Sequence, residues 1–266
     1  MSAYVFRCKT SEGFIFKSLI ELLQNMLTDV CFTLTPEDIR LTTNDNKSNI
    51  LLDLRLNAKA FDEYQSQEKT KIGINLQHLW KMVKSIKKKN SIELYVSKSE
   101  PELLQISSSS FDNTNKSGIK IQKTIEVIAD IPTAYYHPIH IPSQAFQKLC
   151  KEMCTLSNTI NISSQASFIS FKCEAEGLYK RETSFGNKEH IDTSFYDYED
   201  TFSTKLFSQF IKISGLNNKI QIYIPNFKKT VKVPLKIGIN IGNLGTLCIF
   251  IKSDSQMVKK KTNISF

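Results

Sequence analysis

One order of elements occurs twice along the 266 residues, and that repetition restricts the fold more than any other feature of the chain. Phe16, Leu19, Ile20, Leu23 and Leu27 follow the apolar spacing of an amphipathic helix, predicting one over 14–27. Strand-like runs follow at 31–34, 39–42 and 50–56. A second helix is predicted over 76–86 with Leu79, Met82, Val83 and Ile86 on one face, and strands at 92–96 and 103–106 close this half. The order then returns. A helix over 142–153 turns Phe146, Leu149 and Met153 inward, with Ser143 placed to cap its first turn. Strands at 159–163 and 168–173 come next, then a helix over 204–214 that turns Phe207, Phe210 and Ile211 inward and stops at Gly215. Strands at 221–224, 231–237 and 245–251 end the repeat. Two similar α+β domains are implied, at 1–111 and 137–266, with an interdomain connector at 112–136. Near and within that connector, 119–127 alternates like an edge strand.

Charge adds a direction. Thirty-five Lys and Arg against 26 Asp and Glu leave +9, an excess that suits an anionic partner. Nucleic acid is favoured over membrane, because no segment reads as a basic amphipathic membrane helix with exposed aromatics. A lysine-rich solvated surface accounts for the count equally well; the placement of the lysines tells more. Lys81 and Lys84 are three apart, Lys148 and Lys151 three apart, Lys205 and Lys212 seven apart, and Lys17 follows Phe16 in the first helix. At helical periodicity each pair shares a face, opposite the apolar one. Lysines there reach phosphate oxygens as flexible point charges without reading bases, which suits sequence-independent DNA contact. Charged solvent faces are also what most surface helices carry, so the pattern alone leaves both readings open.

Enzymatic motifs are missing from the sequence. It holds no Gly-rich phosphate loop, H-E-x-x-H or nucleophile elbow, and its four histidines, 78, 137, 140 and 190, are isolated apart from His137 and His140. Asp192, Asp197, Glu199 and Asp200, with Tyr196 and Tyr198, read as a solvated acidic loop. The six cysteines lack a C-x-x-C pair and read as reduced core thiols; Cys150 and Cys154 are one turn apart but have no second ligand pair. Neither a cofactor nor a metal is expected. No apolar run of about 18 residues occurs and the start carries no charged-then-apolar leader, so an intracellular protein, neither secreted nor membrane-spanning, is expected.

Against this background the chain resembles the sliding clamps of the proliferating cell nuclear antigen type over nearly its whole length. The likeness rests on Phe16-Lys-Ser-Leu-Ile-Glu with Asp29-Val-Cys-Phe, on Ala60-Phe-Asp-Glu-Tyr followed by Ile72-Gly-Ile-Asn-Leu, and on Ile141-Pro-Ser-Gln-Ala-Phe-Gln-Lys-Leu-Cys-Lys-Glu. Val233-Pro-Leu-Lys-Ile and Leu244-Gly-Thr-Leu complete it. The resemblance implies an α+β DNA-clamp fold, two domains each packing two helices on antiparallel sheets, closing head-to-tail into a ring with helices lining a channel. It implies a non-enzymatic DNA polymerase processivity factor that encircles double-stranded DNA, forms a homotrimer, and works in the nucleus or at a viral replication site. The family's channel lysines match Lys17, Lys81, Lys84, Lys148, Lys151, Lys205 and Lys212, whereas Ser18 and Gln24 stand where such clamps often carry lysine. DNA polymerase and other proteins with short peptide motifs would enter a pocket at Leu51, Ile131, Pro234 and Phe250, edged by Asn44 and Ala129, with Lys252 at the rim. Leu51 and Phe250 equally fit ordinary sheet core. Ring closure would pair the strand near 119–127 with that near 178–184 of another copy. Extra lysines at 87–89, 228–229 and 259–261 depart from the acidic overall balance of cellular clamps. The resemblance offers a clamp loader as one candidate partner, whereas these extra lysines suit the alternative of an open clamp binding DNA directly, without a loader. A clamp-fold transcription or checkpoint factor is the other.

Overall fold

A computed structural model describes residues 3–124, 127, 129–165, 168–175, 177–186, 197–226 and 233–257. The chain divides into two compact units, Met1–Asn46 with Leu52–Ala129 and Asn240–Leu247, and Lys47–Leu51 with Asp130–Ile239 and Cys248–Phe266.

The first unit opens with β1 (Tyr4–Thr10) and α1 (Gly13–Gln24). Then come β2 (Asp29–Leu34), β3 (Asp38–Asn44), β4 (Ile50–Asn57), β5 (Glu63–Ser66) and β6 (Thr70–Asn75). Helix α2 (Leu76–Val83) precedes β7 (Ser91–Ser97), β8 (Leu103–Ser109) and β9 (Thr114–Lys120). One antiparallel sheet runs β5-β1-β7-β8-β9, and β4, β3, β2 and β6 are successive neighbours in another. Helix α1 buries Phe16, Leu19, Ile20, Leu22 and Leu23, and α2 buries Leu76, Leu79 and Val83. Full burial of each such side chain stabilises by about 2 kcal/mol, so these faces, more than helix propensity, hold the helices in place. The start of α2 is capped, since Asn75 Oδ1 accepts from the His78 backbone N–H at 3.1 Å.

Gly73 shows how closely the chain passes itself here. The Gln122 backbone N–H donates to the Gly73 carbonyl at 2.9 Å, and a Cβ at position 73 would stand 2.2 Å from the Gln122 oxygen. Only glycine admits that approach.

The second unit repeats the order with β10 (Ile139–Pro142), α3 (Ser143–Leu156), β11 (Thr159–Gln165), β12 (Phe168–Ala175), β13 (Tyr179–Phe185) and β14 (Tyr198–Ser203). Helix α4 (Thr204–Phe207) is followed by β15 (Lys219–Tyr223), β16 (Leu235–Ile241), β17 (Gly245–Ile251) and the short α5 (Asp254–Met257). Strands β13-β12-β11-β14 form an antiparallel sheet, and β10, β15, β16 and β17 are successive neighbours in a second. The core is aromatic: Phe207 meets Phe146, Phe202 and Phe210 with ring centroids 6.0–6.4 Å apart, and Phe146 meets Phe171 at 6.2 Å. Among the described residues no helix is long and apolar enough to cross a membrane.

Four local expectations change. The expected helix over 204–214 is broken, because α4 ends at Phe207 and 3₁₀ turns occupy Ser208–Phe210 and Ile213–Gly215. Leu206, Phe207, Phe210 and Ile213 are buried, whereas Ile211, expected inward, is only half-buried. Ser143 is the first helical residue and caps nothing; its hydroxyl donates to the Asn217 carbonyl. Met82 is 38% exposed. At about 100° per residue it falls at the margin of a stripe centred on Leu76, Leu79, Val83 and Ile86. Of the strand expected over 119–127, only Ile119 and Lys120 are in one, as the end of β9, and 125–126 lie outside the described residues.

Candidate nucleic-acid interface and connector pocket

Burial of one helix face fixes what the other presents. In the first unit, Lys81 and Lys84 stand exposed on α2 and at its C-cap. Lys17 is held back: its ammonium donates to the Ile86 carbonyl at 3.0 Å and lies 5.3 Å from the Phe14 ring centre. Its charge serves the carbonyl end that follows α2 more than solvent. Ser18 is buried, its hydroxyl donating to the Phe14 carbonyl at 2.9 Å, and Gln24 is half-buried. In the second unit, Lys148 and Lys151 are exposed on α3, Lys205 on α4, and Lys212 beyond it. Lys148 lies 3.8 Å from Glu152, a carboxylate that also receives Arg181 at 2.5 Å. Among the described residues no carboxylate pairs with Lys81, Lys84, Lys151 or Lys205. Because the helix over 204–214 is broken, regular periodicity no longer places Lys205 and Lys212 on one face. Lys87, Lys88 and Lys89 are also exposed, just after α2, while 228–229 and 259–261 lie outside the described residues.

The connector residues meet the second unit's sheet through a tyrosine that the sequence reading passed over. Tyr135 donates its hydroxyl to the Pro234 carbonyl at 2.9 Å and packs on Phe250 with centroids 6.2 Å apart. Phe250 is 1% exposed, so its surface is covered. Pro234 and Leu51 are half-buried, and Ile131 is 36% exposed. Lys252, expected at the rim, is tied back by donating to the Ser48 carbonyl at 2.7 Å. Asn44 and Ala129 belong to the first unit, both half-buried. The available signal for Tyr135 was the aromatic doublet Tyr135-Tyr136 between Pro132 and Pro138. Burial pushes the Tyr135 phenol well above the usual range, keeping it a hydrogen-bond donor at neutral pH.

Comparison with known proteins decides the family. Residues 5–130 match the profile described as proliferating cell nuclear antigen, N-terminal domain, and residues 130–254 match the corresponding C-terminal domain. The chain belongs to the proliferating cell nuclear antigen family. It is 25% identical over 252 residues to the probable DNA polymerase sliding clamp 1 of Paramecium bursaria Chlorella virus 1, covering 91% of this chain and 94% of that one. It is 22% identical over 253 residues to the proliferating cell nuclear antigen of Chaetomium thermophilum, covering 91% and 95%. The crystal structure of the Entamoeba histolytica protein of that name superposes with a TM-score of 0.82 at 22% identity, covering 94% of this chain and 99% of that chain. The two-domain clamp fold is thereby shown, and with it membership of the DNA polymerase processivity factors, whose members are non-enzymatic scaffolds.

Within this proliferating cell nuclear antigen fold, two strands are outer strands of their sheets among the described residues. Strand β9 is the outer strand of its sheet and β13 the outer strand of its own. Lys180 is exposed on β13, while Arg181 is engaged by Glu152. The residues once read as a solvated acidic loop divide: Tyr198 is buried and begins β14, Glu199 and Asp200 follow it in that strand, and Asp192 and Tyr196 lie outside the described residues. Among the described residues no three His, Cys, Asp or Glu side chains cluster as metal ligands do. Burial raises the Cys150 thiol well above its ordinary pKa, which leaves it an inert core group.

Proposed function

We propose that this chain is a non-enzymatic DNA sliding clamp, three copies of which close head-to-tail around duplex DNA in the nucleus or at a viral replication site. Lys81, Lys84, Lys148, Lys151, Lys205 and Lys212 face the phosphates, with Lys17 contributing less because its ammonium is already bound. DNA polymerase and other proteins with short peptide motifs dock at Leu51, Ile131 and Pro234, beside Tyr135. Phe250 lies beneath as support.

The observation that carries the reading is the repeated arrangement of exposed lysines on helices of both units, opposite buried apolar faces, in a chain of clamp fold. The binding free energy then comes largely from released counterions. Affinity should be nearly indifferent to DNA sequence and fall steeply with salt, each lost phosphate contact lowering the log-log slope by about 0.9. Replacing Lys81 and Lys84 by Ala tests this, because neither side chain contributes to the buried stripe of α2. The exposed run Lys87–Lys89 favours a second reading, in which the protein holds DNA on that surface without a loader. If the triple Ala change at 87–89 removes binding while the 81/84 change leaves binding and its salt slope intact, the channel reading fails and the second stands.

A further inference from the structure

Lys236 occupies an unusual place on the sheet of the second unit. It stands opposite Tyr223 in the β15/β16 register, and its ammonium lies 4.4 Å from the Tyr223 ring centre, 5.6 Å from that of Tyr135 and 5.8 Å from that of Phe250. The two tyrosine hydroxyls point elsewhere: Tyr135 donates to the Pro234 carbonyl at 2.9 Å and Tyr223 to Gln221 Oε1 at 2.8 Å. Gly238, two residues along the same face from Lys236, leaves the Tyr223 ring room, since a Cβ there would stand 3.1 Å from it. The cation therefore sits among three rings whose positions are fixed.

Ring faces attract the charge but accept no ordinary hydrogen bond, and an ammonium has three N–H donors. Among the described residues, Lys236 makes neither a hydrogen bond to an oxygen nor an ion pair with a carboxylate. The side chain is half-buried, so its charge is partly stripped of water yet still reachable. Apolar surface is available close by at half-buried Pro234, two residues before Lys236 and joined to Tyr135 through its carbonyl. An incoming group that adds an anionic acceptor completes the ammonium's bonding in a place where water screens it less than at an open surface.

We propose that Lys236 makes this docking surface selective for partner peptides that carry a carboxylate beside their aromatic anchors. The inference rests on the peptide-docking reading of the connector and names the chemistry of its partner. Lys236 acts as the specificity-determining charge, and the rings around it hold the ammonium in one place so that the carboxylate must come to it.

The test uses the full-length protein and labelled synthetic peptides, each with an adjacent Phe-Tyr pair and a single Asp placed in turn at each of the four residues on either side. Every peptide has an Asn counterpart, and binding is read by fluorescence anisotropy. At one position or more the Asp peptide should bind the unmodified protein about tenfold more tightly than its Asn counterpart, the low end of what one hydrogen bond to a charged group gives. Lys236→Met keeps the apolar stem and removes the charge, and should erase that preference while binding the Asn peptides as before. Equal binding of every Asp and Asn pair to the unmodified protein overturns the proposal and leaves peptide docking standing. A preference that persists in Lys236→Met overturns it as well, assigning the selectivity to another group. Failure of every peptide to bind removes the docking reading itself, and the proposal with it.

Discussion

Asp38, at the start of β3, is a fully buried carboxylate, and replacing it by Asn should cost the first unit stability in a pH-dependent way. Its side chain is 0% exposed. It accepts from Arg40 Nε at 2.7 Å, from the Thr35 hydroxyl at 2.8 Å, and faces Arg55 Nε at 2.6 Å. Each charge-assisted bond is worth about 1.5–3 kcal/mol where water is excluded. Arg40 and Arg55 are 50% and 57% exposed, however, so solvent screens their side of the pairs and the lower end applies. Asn keeps the volume and one neutral acceptor, which leaves a net loss of about 2 kcal/mol. Burial alone would raise the Asp38 pKa, but the bonds from Arg40 and Thr35 and the charges of Arg40 and Arg55 outweigh it and hold the carboxyl below its ordinary value. The folded pKa is thus below the unfolded one of about 3.9, so the contribution is complete above that pH and disappears as pH falls through the folded value. Urea unfolding of both proteins at pH 7, 5 and progressively lower values should show a constant gap down to about pH 5 that then closes. A gap below about 0.5 kcal/mol at pH 7, or one that does not narrow in acid, would refute this account of the buried charge.

Two further outcomes follow from the proposed assembly and docking surface. Sedimentation equilibrium at micromolar concentration should give three times the 30.4 kDa chain mass; monomer alone would remove the ring, and a dimer would indicate an open clamp. Ile131→Asp should leave that mass unchanged and abolish stimulation of a cognate DNA polymerase, because it puts a charge on an exposed apolar residue of the connector. Normal stimulation would place the partner site elsewhere.

Much of this architecture was legible because apolar spacing sets which side of a helix is buried. Leu19, Leu23, Leu79, Val83, Phe146, Leu149 and Met153 are all buried as their periodicity demands. The 204–214 segment shows the limit of that argument. Leu206, Phe207, Phe210 and Ile213 keep helical spacing, yet the chain tightens into 3₁₀ turns around a cluster of phenylalanine rings, in a stretch rich in aromatic, β-branched and serine residues of modest helix propensity. Strand β13 was hard to read as a strand for a different reason. Its sequence Tyr179-Lys-Arg-Glu-Thr-Ser-Phe is largely exposed, so no apolar alternation marks it. The lysine pattern identified the exposed residues correctly in six of the seven positions, and Lys17 escaped because a bond to the distant Ile86 carbonyl depends on how α1 and α2 pack. Tyr135 and Lys236 escaped for the same reason, since cross-strand register and connector docking bring them together from positions about 100 residues apart.

Topological linkage to DNA is the claim that separates a clamp from a basic protein that merely adheres. Linear duplex carrying biotin at both ends can be loaded by threading, then closed with streptavidin, and washed in about 1 M salt, where the screening length falls to about 3 Å and phosphate contacts are lost. The protein should remain on duplexes whose ends are blocked and run off those whose ends are free. Equal loss from both would contradict encirclement and leave surface adhesion as the mode of binding.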